Sequence, residues 1–363
     1  MKILYGITKS DIGGAQTHLI QIINHYSLKH DVAVMVGSHG PLVEMLAKNV
    51  KVFIIPSLIG SINIKQDIKT IYKMKKIINE FQPDLIHLHS SKAGTLGRIA
   101  AKLSKRKSHK VIFTAHGWAY TEGVDRKKRV LYKLIEKQMC KLSDRIICVS
   151  DYDKELAILN GFESSKLVTI HNSVRADRPN ITNKNRSLNE VRFVMVARFN
   201  HPKNQEAVIR ALNILQKNTN KKYSLTFIGD GNKLYECKKL VNKLDVKNVE
   251  FTGAIKNVNH ILNQYDVFIL ISKYEGLPIS IIEAMEKGLA VIASDVGGIS
   301  ELIDNRNGIL IDKNNDINAI SQAMSKMLNR KIIENLGLNS KKKYMELFNE
   351  EIMFKKLDQV YGI

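Results

Sequence analysis

The sequence is short of cysteine, of acid and of long apolar runs, and each shortage closes off a class of protein. Its 363 residues hold three cysteines. Cys140, Cys148 and Cys237 form no C-x-x-C pair and no Cys/His spacing. A disulfide framework and a zinc ribbon are thereby excluded, and free thiols in a reducing compartment are expected. No run approaches the roughly 18 uncharged apolar residues of a membrane-spanning helix. The opening MKILYGIT lacks the long apolar centre of a signal peptide and reads as a strand. Cytoplasmic residence is expected, with contact to the inner face of a membrane. No G-x-G-x-x-G opens a helix and no G-x-x-x-x-G-K-[ST] occurs, which argues against a dinucleotide-dependent dehydrogenase and a P-loop enzyme.

The acid shortage is the most informative. Asp and Glu number 35 against 56 Lys and Arg, a formal net charge of +21. Residues 1–173 carry +13 of this and the remainder +8. Such a balance fits nucleic acid, an anionic membrane surface or phosphorylated substrates as partners. A nucleic-acid-binding protein is one reading, resting on charge alone. The chain has no helix-turn-helix, zinc or RNA-recognition signature to support it, so no nucleic-acid partner is expected.

What is present is alternation. KILYGI, DVAVMVG, KVFIIP, DLIHLH, KVIFTAH and RIICVS read as buried strands with helical patterns between them. This is the signature of βαβ units and a parallel sheet covered on both faces. The pattern breaks at VRADRPNITNKNRSLNE, residues 174–190, a polar linker. It restarts with VRFVMVAR, YSLTFIGDG, NVEFTGA, DVFILIS, LAVIASD and NGILI. The length also favours two domains. The expected organisation is an α/β domain over 1–173, the linker, a second over 191–340, and a C-terminal helix over 341–363.

In open α/β sheets ligands bind beyond the carboxyl ends of the strands, so the loops there carry most weight. Gly13 and Gly14 follow the first strand and open a helix, where bare N–H groups can approach an anion. His116 ends the fifth strand and could donate to a sugar hydroxyl or a phosphate oxygen. Trp118 and Tyr120 beside it could stack on a sugar or simply pack in the loop. Arg198 and Lys203 flank Pro202 after the first strand of the second domain, with Lys203 expected in the first turn of a helix. Two cations there suit a pyrophosphate. Gly229, in the GDG after the next strand, is placed with the donor-binding residues.

The stretch SKYEGLPISIIEAM, 272–285, combines two acids with a helix start. Pro278 favours a first turn, so a helix is expected over about 278–287. Glu275 then lies in the loop before it, and Glu283 faces out about one and a half turns in. Gly276 and Leu277 offer backbone N–H groups at the positive helix end. Carboxylates for hydroxyls beside a helix end for phosphate are what a nucleotide-sugar needs. Asp151-Tyr152-Asp153 formally matches a D-x-D metal motif. Ser150 with Asp153 reads instead as a capping box, and no cluster has metal spacing, so no required metal or cofactor is expected.

Two helices are basic. In RKKRVLYKLIEKQMCK, residues 126–141, Lys133, Lys137 and Lys141 share a face, and Val130, Leu131, Leu134 and Ile135 form a stripe expected to cover the sheet. Lys65, Lys69, Lys73 and Lys76 repeat the theme over 65–76. The basic faces could dock on anionic lipid.

Taken in order, GGAQTHL, AHG, ARF with a following lysine, and EGLPISIIEAM resemble the retaining glycosyltransferases of family 4. Glu275 and Glu283 match that family's E-x7-E signature. HLHSSKAGTLGR and FTAHGWAYTEGV are most similar to bacterial capsular and exopolysaccharide enzymes, among them a staphylococcal capsule enzyme that extends a lipid-linked acceptor. The resemblance spans nearly the whole chain. It implies the GT-B fold: two doubly wound, Rossmann-like domains facing a cleft, with the C-terminal helix crossing back to the first. It implies that Glu275 contacts the donor sugar, Glu283 the ribose hydroxyls, and Arg198 and Lys203 the diphosphate. Gly14 would approach the phosphates, His116 the sugar near its C6, and Gly276 and Leu277 would give N–H groups. Ser173 stands where the family's HNGV has glycine, so Asn172 is given no role. The expected reaction moves a sugar from a UDP-sugar to a polyprenyl-diphosphate-linked saccharide with retention of configuration. An alternative of the same fold is a nucleotide-sugar 2-epimerase, which would need no acceptor. A homo-oligomer is left open by the sequence.

Overall fold

A computed structural model of the chain describes residues 1–105, 108–121, 124–176, 190–256 and 258–363. It forms two compact units, residues 1–171 with 355–363, and residues 172–354. The first contains β1 (Lys2–Gly6), β2 (Asp31–Val36), β3 (Lys51–Ile54), β4 (Leu85–His89), β5 (Lys110–Ala115), β6 (Arg145–Cys148) and β7 (Leu167–Thr169). The second contains β8 (Glu190–Val196), β9 (Lys222–Ile228), β10 (Val249–Gly253), β11 (Val267–Leu270), β12 (Ala290–Ser294) and β13 (Gly308–Ile311).

Both sheets are parallel throughout. Their orders are β3-β2-β1-β4-β5-β6-β7 and β10-β9-β8-β11-β12-β13. The fold is therefore α/β with two Rossmann-like sheets, as the alternation predicts. Every residue of β4 and β12 is buried, because helices cover both faces of a parallel sheet. The order reverses beside β1 in the first sheet and beside β8 in the second. Those switch points open a crevice at the carboxyl edge of each sheet. β7 is a strand the sequence reading did not include.

Of the linker read over 174–190, residues 177–189 lie outside the described residues. Glu190 already begins β8, and the Val174 carbonyl accepts from the Tyr344 hydroxyl at 2.9 Å. The tail consists of the helices Ile317–Lys326, Arg330–Leu347 and Glu350–Tyr361. Its last nine residues, 355–363, complete the first unit. There Tyr361 shares hydrogen bonds with His87 Nδ1 (2.7 Å) and with the Tyr5 hydroxyl (3.3 Å), and Tyr26 donates to Asp358 (2.7 Å).

The basic helix Arg126–Cys140 corrects the sequence reading. Val130, Leu131 and Leu134 are 51%, 49% and 54% exposed and do not cover the sheet. The helix docks through Glu136 and Cys140 instead. Glu136 is paired at 2.7 Å with Arg98, a fully buried arginine on the helix Ser91–Leu103. A buried guanidinium needs a counter-charge, and that need fixes which face of the helix turns inward. The helix Ile64–Phe81 behaves as its pattern suggests on one side, burying Thr70, Met74, Ile77, Ile78 and Phe81. On its other side Ile64, Ile68 and Tyr72 are exposed among Lys65, Lys69, Lys73 and Lys76.

Candidate active site

The carboxyl edge of the second sheet gathers five loops. The loop after β8 runs through Arg198, which is exposed, to Lys203. Lys203 lies before the helix Gln205–Asn218, not in its first turn. Asn204 takes the cap, its side chain accepting from Ala207 N at 3.2 Å, and so ends the turn one residue after Lys203. This loop lies along the start of the loop after β11. Asn204 N donates to Ile271 O (2.9 Å), Lys273 N donates to Pro202 O (3.1 Å), and Lys203 bridges Ser272. The consequence is an ion pair between Lys203 Nζ and Glu275 Oε1, with side chains 19% and 11% exposed. The cation and the acid that the sequence assigns to opposite parts of a ligand are thus neighbours.

Glu275 is held from several sides. Ser272 Oγ donates to its Oε1 at 2.6 Å. Ser272 N donates to Ser294 Oγ (3.0 Å), Ser294 Oγ donates to Asn315 Oδ1 (2.5 Å), and Asn315 Nδ2 donates back to Ser272 O (3.0 Å). The loop after β12 presses on the same turn: Gly298 N donates to Gly276 O at 2.9 Å. Gly297 sits at φ +59°, and a Cβ there would meet Glu275 O at 1.9 Å. Gly229 plays a similar part at the loop after β9. Its φ is +147°, a Cβ would meet Ala197 O at 2.1 Å, and its N–H donates to Gly253 O at 2.9 Å. This close approach seats the β9 loop against the one that carries Arg198.

The helix Ile279–Glu286 starts one residue later than the sequence places it, with Pro278 at the cap and not in the first turn. Leu277 is buried and its carbonyl accepts from Asn172 Nδ2 at 2.7 Å. The described hydrogen bonds of Gly276 and Leu277 run through their carbonyls, and none among the described residues uses their N–H groups. Glu283 departs from expectation. It does not face out but is partly buried, and burial pushes its carboxyl up to about 7, with Lys287 opposing and Glu286 adding to the shift. The helix that carries it is itself deeply set: Ile281, Ile282, Ala284 and Met285 are fully buried.

In the first unit, Gly13 caps the helix Gly14–Tyr26 in extended conformation. His116, after β5, shares a 2.9 Å hydrogen bond between its Nε2 and His89 Nδ1. His89 stacks on His116 with centroids 5.2 Å apart and lies tilted against His87 at 4.2 Å, and His18 meets His116 edge-on at 5.2 Å. Burial, then the neighbouring His18 and His87, holds His116 well below the usual histidine range. It is therefore a neutral imidazole, suited to a hydroxyl and not to supplying charge for a phosphate. Trp118 and Tyr120 are loop packing: they stack on each other and pack tilted against Phe162, and Trp118 Nε1 donates to Asp153 O at 2.8 Å. Ser150 and Asp153 exchange cap bonds at 3.0 and 2.8 Å, so this aspartate is committed to a capping box.

The sequence reading missed Ser272, Ser294, Gly297, Asn315 and His89. Gly297 had a signal, since a Gly-Gly pair follows strand β12 much as Gly13-Gly14 follows β1. Ser272, Ser294, Asn315 and His89 had none.

Comparison with known proteins matches both parts of the chain. Residues 12–178 match the family Glycosyltransferase Family 4, and residues 177–343 match Glycosyl transferases group 1. The O-antigen biosynthesis glycosyltransferase WbnH of Escherichia coli is 33% identical over 85% of this chain and 86% of its own. The Escherichia coli UDP-Gal:alpha-D-GlcNAc-diphosphoundecaprenol alpha-1,3-galactosyltransferase is 29% identical over 91% of this chain and 87% of its own. Among solved structures, Anabaena Alr3699/HepE in complex with UDP-glucose superposes with a TM-score of 0.84 at 19% identity, covering 100% of both chains. At that identity the likeness speaks for the fold, GT-B. Together, the two matched stretches and a relative sharing a third of its residues over most of its length make this chain a member of the group 1, family 4 glycosyltransferases.

Proposed function

We propose that this glycosyltransferase moves a sugar from a UDP-sugar to a saccharide carried on a polyprenyl diphosphate, in the assembly of a bacterial surface polysaccharide, with retention of anomeric configuration. The observation that carries the donor reading is the Lys203–Glu275 pair at the carboxyl edge of the second sheet, beside the start of the helix Ile279–Glu286. The acceptor class follows the activity for which the Escherichia coli galactosyltransferase is named, and the polysaccharide context follows that of WbnH. The capsular or exopolysaccharide setting rests on the motif resemblance.

In the transfer, the bond between the anomeric carbon and the diphosphate oxygen breaks with its electron pair on the diphosphate. A bond forms from the acceptor hydroxyl oxygen to that carbon, and the hydroxyl proton leaves with the departing diphosphate. Negative charge builds on the diphosphate, where Arg198 and Lys203 supply fixed positive charge. That charge does the work a metal would otherwise do, so no resident metal is required. Glu275 accepts from sugar hydroxyls and Glu283 from the ribose. The N–H groups of Gly276 and Leu277 and the cap at Pro278 face the phosphates, Gly229 keeps the Arg198 loop in place, Gly13 and Gly14 give anion-facing backbone, and His116 meets the sugar.

The protein docks on the inner face of the membrane through its basic helices. The exposed Val130, Leu131 and Leu134 lie among the lysines and arginines of 126–141, a pairing of apolar and basic groups that suits an anionic lipid surface. No helix among the described residues is long and apolar enough to cross a membrane.

Calorimetry with UDP, GDP and ADP tests the donor site. Selective binding of UDP that weakens in Glu283→Ala supports it, and no binding of any nucleotide overturns it. Turnover of a UDP-sugar in the absence of any acceptor would favour an epimerase instead.

A further inference from the structure

We propose that Ser272 is a positioning residue that aims Glu275 Oε2 at the donor sugar, and that Ser294 and Asn315 hold Ser272 to that task. The inference rests on the donor-site reading above. Glu275 has two described partners, Lys203 Nζ and Ser272 Oγ, and both end on the same oxygen, Oε1. A carboxylate can accept about four hydrogen bonds over two oxygens. Oε2 has no partner among the described residues and is the oxygen left for a hydroxyl.

Ser272 is not free to turn. It is fully buried, as is Ser294. Its N–H and carbonyl are both engaged in the ring with Ser294 and Asn315, at 3.0 Å each. With the backbone pinned, the hydroxyl reaches Glu275 at 2.6 Å. Asn315 is suited to close this ring. It sits at φ +54°, a conformation that asparagine tolerates better than most residues, and its amide uses one donor and one acceptor. Aspartate keeps the shape and the tolerance and loses the donor. The ring draws on the ends of β11, β12 and β13, so three loops set the direction of one carboxylate. It does not touch Glu283, so the nucleoside and sugar parts of the ligand should respond differently when it is broken.

The test is calorimetry on the full chain with UDP and with UDP-galactose, UDP-glucose and UDP-N-acetylglucosamine, for the unaltered protein, Ser272→Ala and Asn315→Asp. The readout is the affinity for the best-bound UDP-sugar divided by that for UDP. This ratio is expected to fall about tenfold in both variants, the effect of losing a hydrogen bond to a charged acceptor, while UDP affinity stays within about twofold. An unchanged ratio in either folded variant overturns the proposal. So does a joint, equal loss of UDP and UDP-sugar affinity, which marks a merely structural ring. If one variant does not fold, the other is read by the same ratio. An unaltered protein that binds no UDP overturns the donor-site reading itself, and this inference with it.

Discussion

Gly297 lies against the backbone of Glu275 so closely that a Cβ on it would fall 1.9 Å from the Glu275 carbonyl oxygen. Its φ of +59° adds a second reason for glycine. Gly297→Ala must therefore push the two loops apart. Left-handed strain alone costs about 1–2 kcal/mol, and the backbone overlap adds to it. A loss of at least about 2 kcal/mol in urea unfolding is expected, together with loss of UDP-sugar binding. Stability and binding equal to the unaltered protein would show that the loops can separate freely.

Lys203→Ala removes the cation beside Glu275 and the positive charge assigned to the leaving diphosphate. Turnover is expected to fall by two to three orders of magnitude, the usual effect of losing one preorganised charge-stabilising group. The sheet and its helices should persist in circular dichroism. Unchanged transfer to a lipid-linked acceptor would remove Lys203 from the chemistry.

Glu283 gives a pH dependence with a definite sign. Burial raises its carboxyl to about 7, so between the ordinary carboxyl range and about 7 the folded chain holds a proton that the unfolded chain has released. Its contribution to stability is present at pH 4 and is lost as pH rises toward 7, by up to about 3 kcal/mol. Glu283→Gln should be flat over this window where the unaltered protein declines. Denaturant midpoints measured from pH 4.5 to 7.5 decide this, and parallel curves for the two proteins would refute it.

The membrane proposal predicts separable apolar and ionic parts. Replacing Val130, Leu131 and Leu134 by Ser should cut binding to vesicles of anionic lipid at least tenfold, since burying one such side chain contributes roughly 1.5–3 kcal/mol. Raising salt should weaken the unaltered protein as well, at about 1 kcal/mol per engaged lysine. Equal sedimentation with neutral and anionic vesicles would rule out the proposed surface.

The strands were legible because a parallel sheet buried on both faces leaves continuous apolar runs such as DVFILIS and LAVIASD. β7 was not, since three residues carry no period. The helix 126–140 was misread for an instructive reason. Its apolar stripe is real, but its inward face is chosen by Glu136, whose partner Arg98 lies 38 positions earlier. Glu275 and Glu283 were legible by spacing, yet the burial of Glu283 was not, because it depends on what packs over the helix. The ring at Ser272 was the least visible. Its members are common polar residues 22 and 43 positions apart, and only the parallel stacking of β11, β12 and β13 brings them together.

The docking of residues 355–363 on the first unit bears on the order in which the chain acquires its structure during synthesis. Domains ordinarily fold as units, the N-terminal one first, as the ribosome extrudes them. Here Tyr361 supplies the partner of His87 Nδ1 on the central strand β4, while His87 Nε2 is met by Thr114 Oγ1 at 2.7 Å, so the first unit keeps one buried imidazole nitrogen without that partner until the second has been translated. Nascent chains halted before residue 355 should present an incomplete first unit to chaperones and proteases, and a tag fused directly after Tyr361 would act at that step and not at catalysis.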